Sequence, residues 1–142
     1  MNLVKYARGW LGKRSRPEHL VRGEVGECAA KKHLKRSGLK FLTANFRSPR
    51  GEIDLIFRDG DCLVFVEVKS RSSETWKRPA ASVNVRKRLL LSQTALDYLR
   101  LLKQPQVRVR FDIVEVLLQE GAVREVRHLP NSFTLSPPYR YG

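Results

Sequence analysis

Two neighbouring segments decide the fold of this chain: Gly51-Glu52-Ile53-Asp54-Leu55-Ile56 and Val64-Phe65-Val66-Glu67-Val68-Lys69. Both have the composition of a buried β-strand, and an Asp59-Gly60 pair between them is typical of a hairpin turn. An ionised Asp, Glu or Lys inside such strands costs several kcal/mol unless it is paired or bound to a metal. The charged residues therefore point to a function for this hairpin.

Strand periodicity groups the charges of the hairpin. Alternate side chains of a strand share a face, so Asp54 lies on the same face as Glu52, and Glu67 on the same face as Lys69. Two carboxylates and a lysine in this arrangement are typical of a hydrolytic metal site. A structural salt-bridge cluster, with Lys69 paired to Glu67 or Asp54, is the alternative interpretation.

The turn sets the register of the hairpin. With Asp59-Gly60 as its two central residues, Asp54 is expected opposite Phe65, and Glu67 becomes the diagonal neighbour of Asp54. Diagonal pairs lie roughly 7–8 Å apart. Two carboxylates at that spacing can share one hard cation, and the sequence therefore predicts a metal site for Mg²⁺ or Mn²⁺.

A third acid, Glu27, lies in a predicted helix. Leu20, Glu27 and Leu34 are spaced by sevens, which keeps them within a narrow arc of a helix. Glu27 is therefore expected in line with core-facing leucines. A solvated Glu at the edge of the helix is the alternative.

Six motifs carry a resemblance to a known family. They are Gly-x-x-Gly-Glu-x-x-Ala (Gly23 to Ala30), Asn-x-Arg (Asn45 to Arg47), Gly-Glu-Ile-Asp-Leu-Ile (Gly51 to Ile56), Phe-Val-Glu-Val-Lys-x-Arg (Phe65 to Arg71), Arg-Phe-Asp (Arg110 to Asp112) and Asn-x-Phe (Asn131 to Phe133). Over roughly residues 20 to 133 the chain resembles the YraN family, small bacterial proteins placed as predicted endonucleases in the PD-(D/E)XK nuclease superfamily, beside the Holliday-junction resolvases.

The resemblance implies an α/β fold with an αβββαβ core, a mixed sheet flanked by helices. It also implies Asp54 and Glu67 as metal ligands, Lys69 as the catalytic lysine and Glu27 as the helix acid of the resolvase-like branch. One departure concerns the Pro-Asp that gives the superfamily its name, because Ile53 precedes Asp54 here. This leaves Glu52 as a competing ligand.

Composition agrees with a polyanionic partner. The chain has 28 Lys and Arg against 14 acidic residues, a net charge of +14, which bears on nonspecific binding and association rate rather than on fold. Nucleic acid is the leading interpretation, with an acidic membrane surface and ribosomal RNA as alternatives. No uninterrupted apolar stretch is long enough for a signal peptide or a membrane span, so we expect a cytoplasmic protein without a membrane partner.

The 142 residues are predicted to form one domain. Residues 1–17 are expected to be a basic N-terminal arm, residues 18–130 the nuclease-like domain, and residues 131–142 an extended, proline-rich tail. Cys28 and Cys62 lack metal-ligand spacing, so zinc is not expected. Both are predicted to be buried, unpaired thiols.

The segment after the hairpin is polar and basic from Ser70 to Ala81. A loop of this length next to a site is often functional. Trp76 beside Lys77 and Arg78 offers stacking and charge to a nucleic acid. The alternative is a Trp folded back onto its own domain.

A second helix is predicted to run to about Leu102, capped by Ser82 or Asn84. Four apolar residues are expected to face the sheet: Val85, Leu89, Leu96 and Leu99. Cations in the first turn oppose the macrodipole, whereas a helix N-terminus binds anions. The first turn is therefore predicted to bind phosphate, with a solvated basic face as the alternative, through Arg86, Lys87 and Arg88.

The last part of the domain is predicted to contain a strand over residues 107–118 and an edge strand over residues 123–129. Asp112 and Glu115 fall on opposite faces and do not form a second site together. Asp112 is expected to pair with Arg110 or Arg108.

Together these features predict a metal-dependent endonuclease that hydrolyses phosphodiester bonds of DNA. The metal would be held by Asp54, Glu67 and the Val68 carbonyl, and Lys69 would orient the attacking water. Phosphate contacts position a substrate without reading its sequence; those expected here come from Arg71, Arg86 and Lys87.

Because nothing in the chain indicates base-specific contacts, branched or flapped DNA is a better expectation than a sequence-specific site. Paired cuts in a four-way junction require a dimer, as the resolvase resemblance suggests. Two other classes stay open: a noncatalytic nucleic-acid-binding module of nuclease-like fold that acts in a repair or recombination complex, and a protein that binds repair partners through its basic surface.

Overall fold

The computed structural model describes residues 17–72 and 83–142. It contains the helices α1 (Glu18–Arg36) and α2 (Val85–Leu101). The strands are β1 (Lys40–Ser48), β2 (Gly51–Asp59), β3 (Cys62–Ser72), β4 (Arg108–Gln119) and β5 (Ala122–Phe133). The predicted basic arm except for Pro17, and the predicted nucleic-acid contacts of Trp76, Lys77 and Arg78, lie outside the described residues.

The five strands form one mixed sheet in the order β1-β2-β3-β4-β5. Only the β3–β4 pair is parallel, and the connection between these two strands contains α2, as a parallel crossover requires. The other neighbours are antiparallel. The αβββαβ order predicted for this α/β domain is therefore confirmed, with β5 added as an edge strand.

Each face of the sheet is covered by one helix. Side chains of β3 alternate between the two cores: Phe65 packs with Leu91 and Leu99 of α2, and Val66 packs with Ala30 and Leu34 of α1. A strand that is buried on both faces needs apolar residues at consecutive positions. This explains the uninterrupted run from Leu63 to Val66.

The predicted register of the β2–β3 hairpin is wrong by two residues. Asp59 pairs with Cys62 and Ile56 with Phe65, so the central turn residues are Gly60 and Asp61. Gly60 has φ +59°, and glycine is favoured at the first central position of a II′ turn. Because the shift is even, it leaves every side chain on its predicted face.

Three predicted burials are wrong. Leu20 is 51% exposed and Val85 80% exposed, since each lies in the first turn of its helix, before the helix packs on the sheet. Cys28 is exposed and Cys62 buried. The predicted cap at Asn84 is confirmed, because its side chain accepts a hydrogen bond from the Lys87 amide.

The C-terminal residues return to the domain. Strand β5 continues to Phe133, beyond the predicted end at Leu129. Tyr141 then packs against the core on the α2 side, and the Gln93 amide donates to the Tyr139 hydroxyl. Neither α1 nor α2 is long and apolar enough to cross a membrane.

Candidate functional site

The candidate site lies where β2 and β3 separate. Their pairing ends at Leu55 and Val66, and from there β3 follows β4 while β2 follows β1. Asp54 lies in this fork, and its Oδ2 accepts a hydrogen bond of 2.8 Å from the Val68 amide. The carboxylate thereby takes the place of the strand partner that the amide would otherwise have.

The fork brings the predicted carboxylate pair together. Burial and, after it, the charge of Asp54 raise the pKa of Glu67 from an ordinary 4.5 to about 7, and the charges of Lys87 and Lys69 oppose this rise only in part. Burial also raises the pKa of Asp54, although the Val68 amide and Lys87 partly offset it. Both shifts mean that placing two negative charges here is unfavourable without a compensating cation.

Glu67 has an oxygen that no donor group reaches. Its side chain is 13% exposed, and the buried Oε2 accepts no hydrogen bond from a donor group of the described residues, whereas the Asp54 carboxyl makes a side-chain contact with Glu67. Its Oε1 lies 3.6 Å from Lys87 Nζ. Buried polar atoms are nearly always satisfied, so this oxygen needs either a proton shared between the two carboxyls or a bound cation.

Helix α1 brings Glu27 to the same fork. Burial, followed by the charge of Asp54, raises the pKa of Glu27, while a hydrogen bond with Asn45 lowers it. Glu27 is half-buried, between the core-facing position and the solvated edge of the helix that the sequence leaves open.

Close approach of α1 to β3 depends on Gly26. A Cβ at Gly26 would meet Ser70 Oγ and come within 3.5 Å of Ser70 Cβ. The second glycine of the Gly-x-x-Gly-Glu motif therefore lies at the contact of α1 with β3, next to Glu27.

Lys69 is half-buried beside the pair, and its charge acts on Glu67. In the described ranges 17–72 and 83–142, the lysine within ion-pair distance of Glu67 is Lys87, not Lys69. Among the described residues, no ion pair of Lys69 with Glu67 or Asp54 therefore supports the salt-bridge interpretation.

Glu52, the competing ligand, pairs with Arg47. The two face each other across β1 and β2, with Arg47 Nε 3.3 Å from Glu52 Oε2. The charge of Glu52 also contributes to the raised pKa values of Glu27 and Asp54. Glu52 thus lies near the Asp54–Glu67 pair and has Arg47 as its counter-ion.

The predicted phosphate-binding cations differ in their surroundings. Arg71 Nε lies 2.8 Å from Oε2 of the fully buried Glu115. Arg88 donates to the Val83 carbonyl and lies over the ring of Phe133. Arg86 is exposed in the first turn of α2. Lys87 and Arg86 are therefore the better placed of these cations to reach a ligand in solution.

The described acids in the fork do not form a complete set of metal ligands. No three His, Cys, Asp or Glu side chains within residues 17–72 and 83–142 are arranged as a ready metal-binding group. Mg²⁺ commonly binds through one or two carboxylates and keeps several waters. Asp54 and Glu67, with the unsatisfied Oε2, fit this open type of site.

Sequence reasoning missed contacts of two residues at the fork. Lys87 is predicted to bind phosphate, and in the structure its Nζ also lies 3.6 Å from Glu67 Oε1. Asn45, known beforehand only as the start of the Asn-x-Arg motif, bonds to Glu27 and has φ +53°. A non-glycine residue with positive φ suggests a local constraint, and nothing in the sequence other than an Asn in a strand signalled it.

The Arg-Phe-Asp and Asn-x-Phe motifs form a separate structural cluster. The fully buried Asp112 accepts hydrogen bonds from Arg110, His128 Nε2 and the Asn131 amide. Burial by itself would raise the Asp112 pKa, but these bonds outweigh it and the pKa is lowered. The ring of Phe111 stacks on Phe133. The predicted Arg110–Asp112 pair within β4 is confirmed, and the bonds from Asp112 to His128 and Asn131 hold β4 to β5.

The chain belongs to the family described as "uncharacterised protein family UPF0102", whose profile matches residues 26–116. It is 37% identical over 115 residues to a UPF0102 protein of Trichlorobacter lovleyi, covering 80% of this chain and 91% of the relative. A UPF0102 protein of Geotalea daltonii is 40% identical over 114 residues, covering 80% and 90%. One from Clostridium acetobutylicum is 39% identical over 114 residues, covering 80% and 93%. The matched region contains the residues of the candidate site, including Glu27, Asp54, Glu67, Lys69 and Lys87.

Proposed function

We propose that this protein is a metal-dependent endonuclease of the YraN type that hydrolyses phosphodiester bonds in branched or flapped DNA. One observation carries the proposal: two buried carboxyl groups, Asp54 and Glu67, meet in a fork of the sheet, and no donor group among the described residues bonds to Glu67 Oε2. Protein interiors rarely keep such a pair without a ligand that repays its cost.

Asp54 and Glu67 would hold Mg²⁺ or Mn²⁺, together with the Val68 carbonyl. When bound, the ion would polarise the scissile phosphate and acidify a water. Glu27, whose pKa is raised by burial and by Asp54, stands where it can accept a hydrogen bond from water in the fork. It would thereby orient that water.

Lys69 would act on the phosphate. Its charge reaches Glu67, and it carries no ion pair to the described residues that would hold it away from a substrate. An ammonium group at this place would offset the charge that develops on the phosphoryl oxygens.

The basic character of the chain supports a nucleic-acid substrate. A net charge of +14 favours association with a polyanion. Arg86 would contact backbone phosphates flanking the fork. Contacts of this type select shape and charge rather than base sequence, which is why branched DNA is the proposed substrate.

The test compares nicking of flapped, forked, four-way and plain duplex DNA in Mg²⁺ or Mn²⁺ by wild type and three variants. Lys69→Met should reduce cleavage by about 100-fold or more, the usual cost of losing one electrostatic stabiliser of a transition state, while Mn²⁺ binding and folding are retained. Asp54→Asn should lose both cleavage and Mn²⁺ binding. Lys32→Met, which removes an exposed lysine of α1, is the matched control and should cleave as wild type.

Wild-type protein that binds Mn²⁺ and DNA but cuts none of the four substrates would refute the nuclease. It would favour instead a noncatalytic nucleic-acid-binding module of the same fold.

A further inference from the structure

The strongest unexplained contact of the fork is the one made by Lys87. Its Nζ lies 3.6 Å from Glu67 Oε1, and its charge also acts on Asp54. Lys87 belongs to α2, whereas Glu67 and Asp54 belong to the sheet. The contact is thus a tertiary one, between the start of a helix and the separated strands.

The two partners differ in exposure to solvent. The Lys87 side chain is 46% exposed, and that of Glu67 is 13% exposed. The backbone of Lys87 is held, because its amide donates to the Asn84 side chain over 2.8 Å. A lysine with a fixed backbone and four rotatable methylenes can move its ammonium group without moving the helix.

We infer that Lys87 is an exchangeable counter-ion, which neutralises Asp54 and Glu67 in the metal-free protein and turns to a DNA phosphate when a divalent cation binds there. The inference rests on the metal site proposed above. It assigns to Lys87 a positioning role that couples metal binding to substrate binding.

Electrostatics gives the direction of the exchange. A cation bound to Oε1 of Glu67 would lie within about 6 Å of Lys87 Nζ, the sum of the observed 3.6 Å and an ordinary metal–oxygen distance, and a cation bound to Oε2 would lie farther by the separation of the two carboxylate oxygens. The two positive charges repel each other at that distance. The coupling is reciprocal, because a bound metal weakens the Lys87–Glu67 ion pair by the same free energy by which Lys87 weakens metal binding.

The reciprocity predicts that removing the charge of Lys87 improves metal binding. Loss of the Lys87 charge strengthens the binding of a divalent ion about twice as much as the binding of a single competing proton, because the ion carries twice the charge. At pH 8.5, above the Glu67 pKa of about 7, proton competition is small in any case. With near-aqueous screening the dissociation constant for Mn²⁺ should fall about tenfold.

The experiment titrates Mn²⁺ into DNA-free wild type, Lys87→Gln, Lys87→Arg and Arg86→Gln at pH 8.5, by calorimetry. Lys87→Gln should bind about tenfold more tightly. Lys87→Arg, which keeps the charge, and Arg86→Gln, which removes an exposed charge one residue away, should stay near the wild-type value. If Lys87→Gln is unstable without metal, the Mn²⁺ dependence of its melting temperature reports the same affinity through linkage.

The outcomes separate this inference from the metal site itself. Equal or weaker binding by Lys87→Gln, with wild type binding Mn²⁺, overturns the exchange and leaves the metal site standing. Binding by Lys87→Gln alone supports the exchange, because Lys87 then excludes the ion from wild type. Failure of both proteins to bind at millimolar Mn²⁺ overturns the metal site and the exchange together.

Discussion

Replacement of Glu67 by glutamine should make the metal-free protein more stable at pH 8. The pKa of Glu67 is raised mainly by burial and by Asp54, so ionising this group is harder in the folded chain than in the unfolded one. A group of this kind contributes stability below the unfolded pKa and loses it as pH rises through the folded pKa. The window runs from about 4.5 to about 7.

The size of the effect follows from the shift. Each pKa unit corresponds to about 1.4 kcal/mol, so the ionisation of Glu67 costs the folded state up to about 3 kcal/mol above pH 7. Glu67→Gln removes that cost. It should raise the free energy of unfolding by up to about 3 kcal/mol at pH 8 and leave it nearly unchanged at pH 4.

Urea unfolding in the presence of a chelator measures this difference at pH 4, 6 and 8. Burial lowers the pKa of His33, which changes stability in the opposite direction near pH 6, and comparison of variant with wild type at each pH cancels that term. Glu120→Gln, at an exposed turn residue, is the control and should show no pH-dependent gain.

A loss of stability at pH 8 in Glu67→Gln would refute this reasoning. It would mean that the Lys87–Glu67 ion pair stabilises the fold, as in the salt-bridge interpretation of the hairpin. A gain in stability accompanied by loss of Mn²⁺ binding is the pattern of a site where stability is given up for function.

Two further predictions concern the surroundings of the fork. Gly26→Ala should gain less stability than the about 1 kcal/mol expected when alanine replaces glycine in a helix, because Ser70 Oγ must turn away from the new Cβ. Adding Ser70→Ala should restore the full gain in melting temperature, and a double variant no more stable than Gly26→Ala would contradict the proposed contact. Asp112→Ala should cost about 3–5 kcal/mol in urea unfolding because it leaves Arg110 and His128 without their buried acceptor. Its Mn²⁺ affinity should match wild type, and a large loss of affinity in the folded variant would tie this cluster to the site.

Much of the fold was predictable because local patterns and tertiary structure agree. The hairpin, the two helices and β4 follow from hydrophobic periodicity, and the Asn84 cap from its side-chain chemistry. The predicted faces of Asp54 and Glu67 are correct although the predicted register is wrong by two residues, because strand side chains repeat with a period of two. The end of β5 at Phe133 was missed, because the proline-rich composition of residues 131–142 predicted a tail, whereas Pro137 and Pro138 come after the strand and an edge strand tolerates Pro130.

The sequence by itself determined which charged groups lie within strands and which face each occupies, because these depend only on neighbours along the chain. It also carried the family motifs and the net charge of +14. The tertiary structure alone decided which charges meet. It separated β2 from β3 beyond Leu55 and Val66, turned Lys87 toward Glu67 and paired Arg71 with Glu115. Contacts between elements distant in sequence depend on how helices pack across a sheet, and no local pattern of residues encodes that geometry.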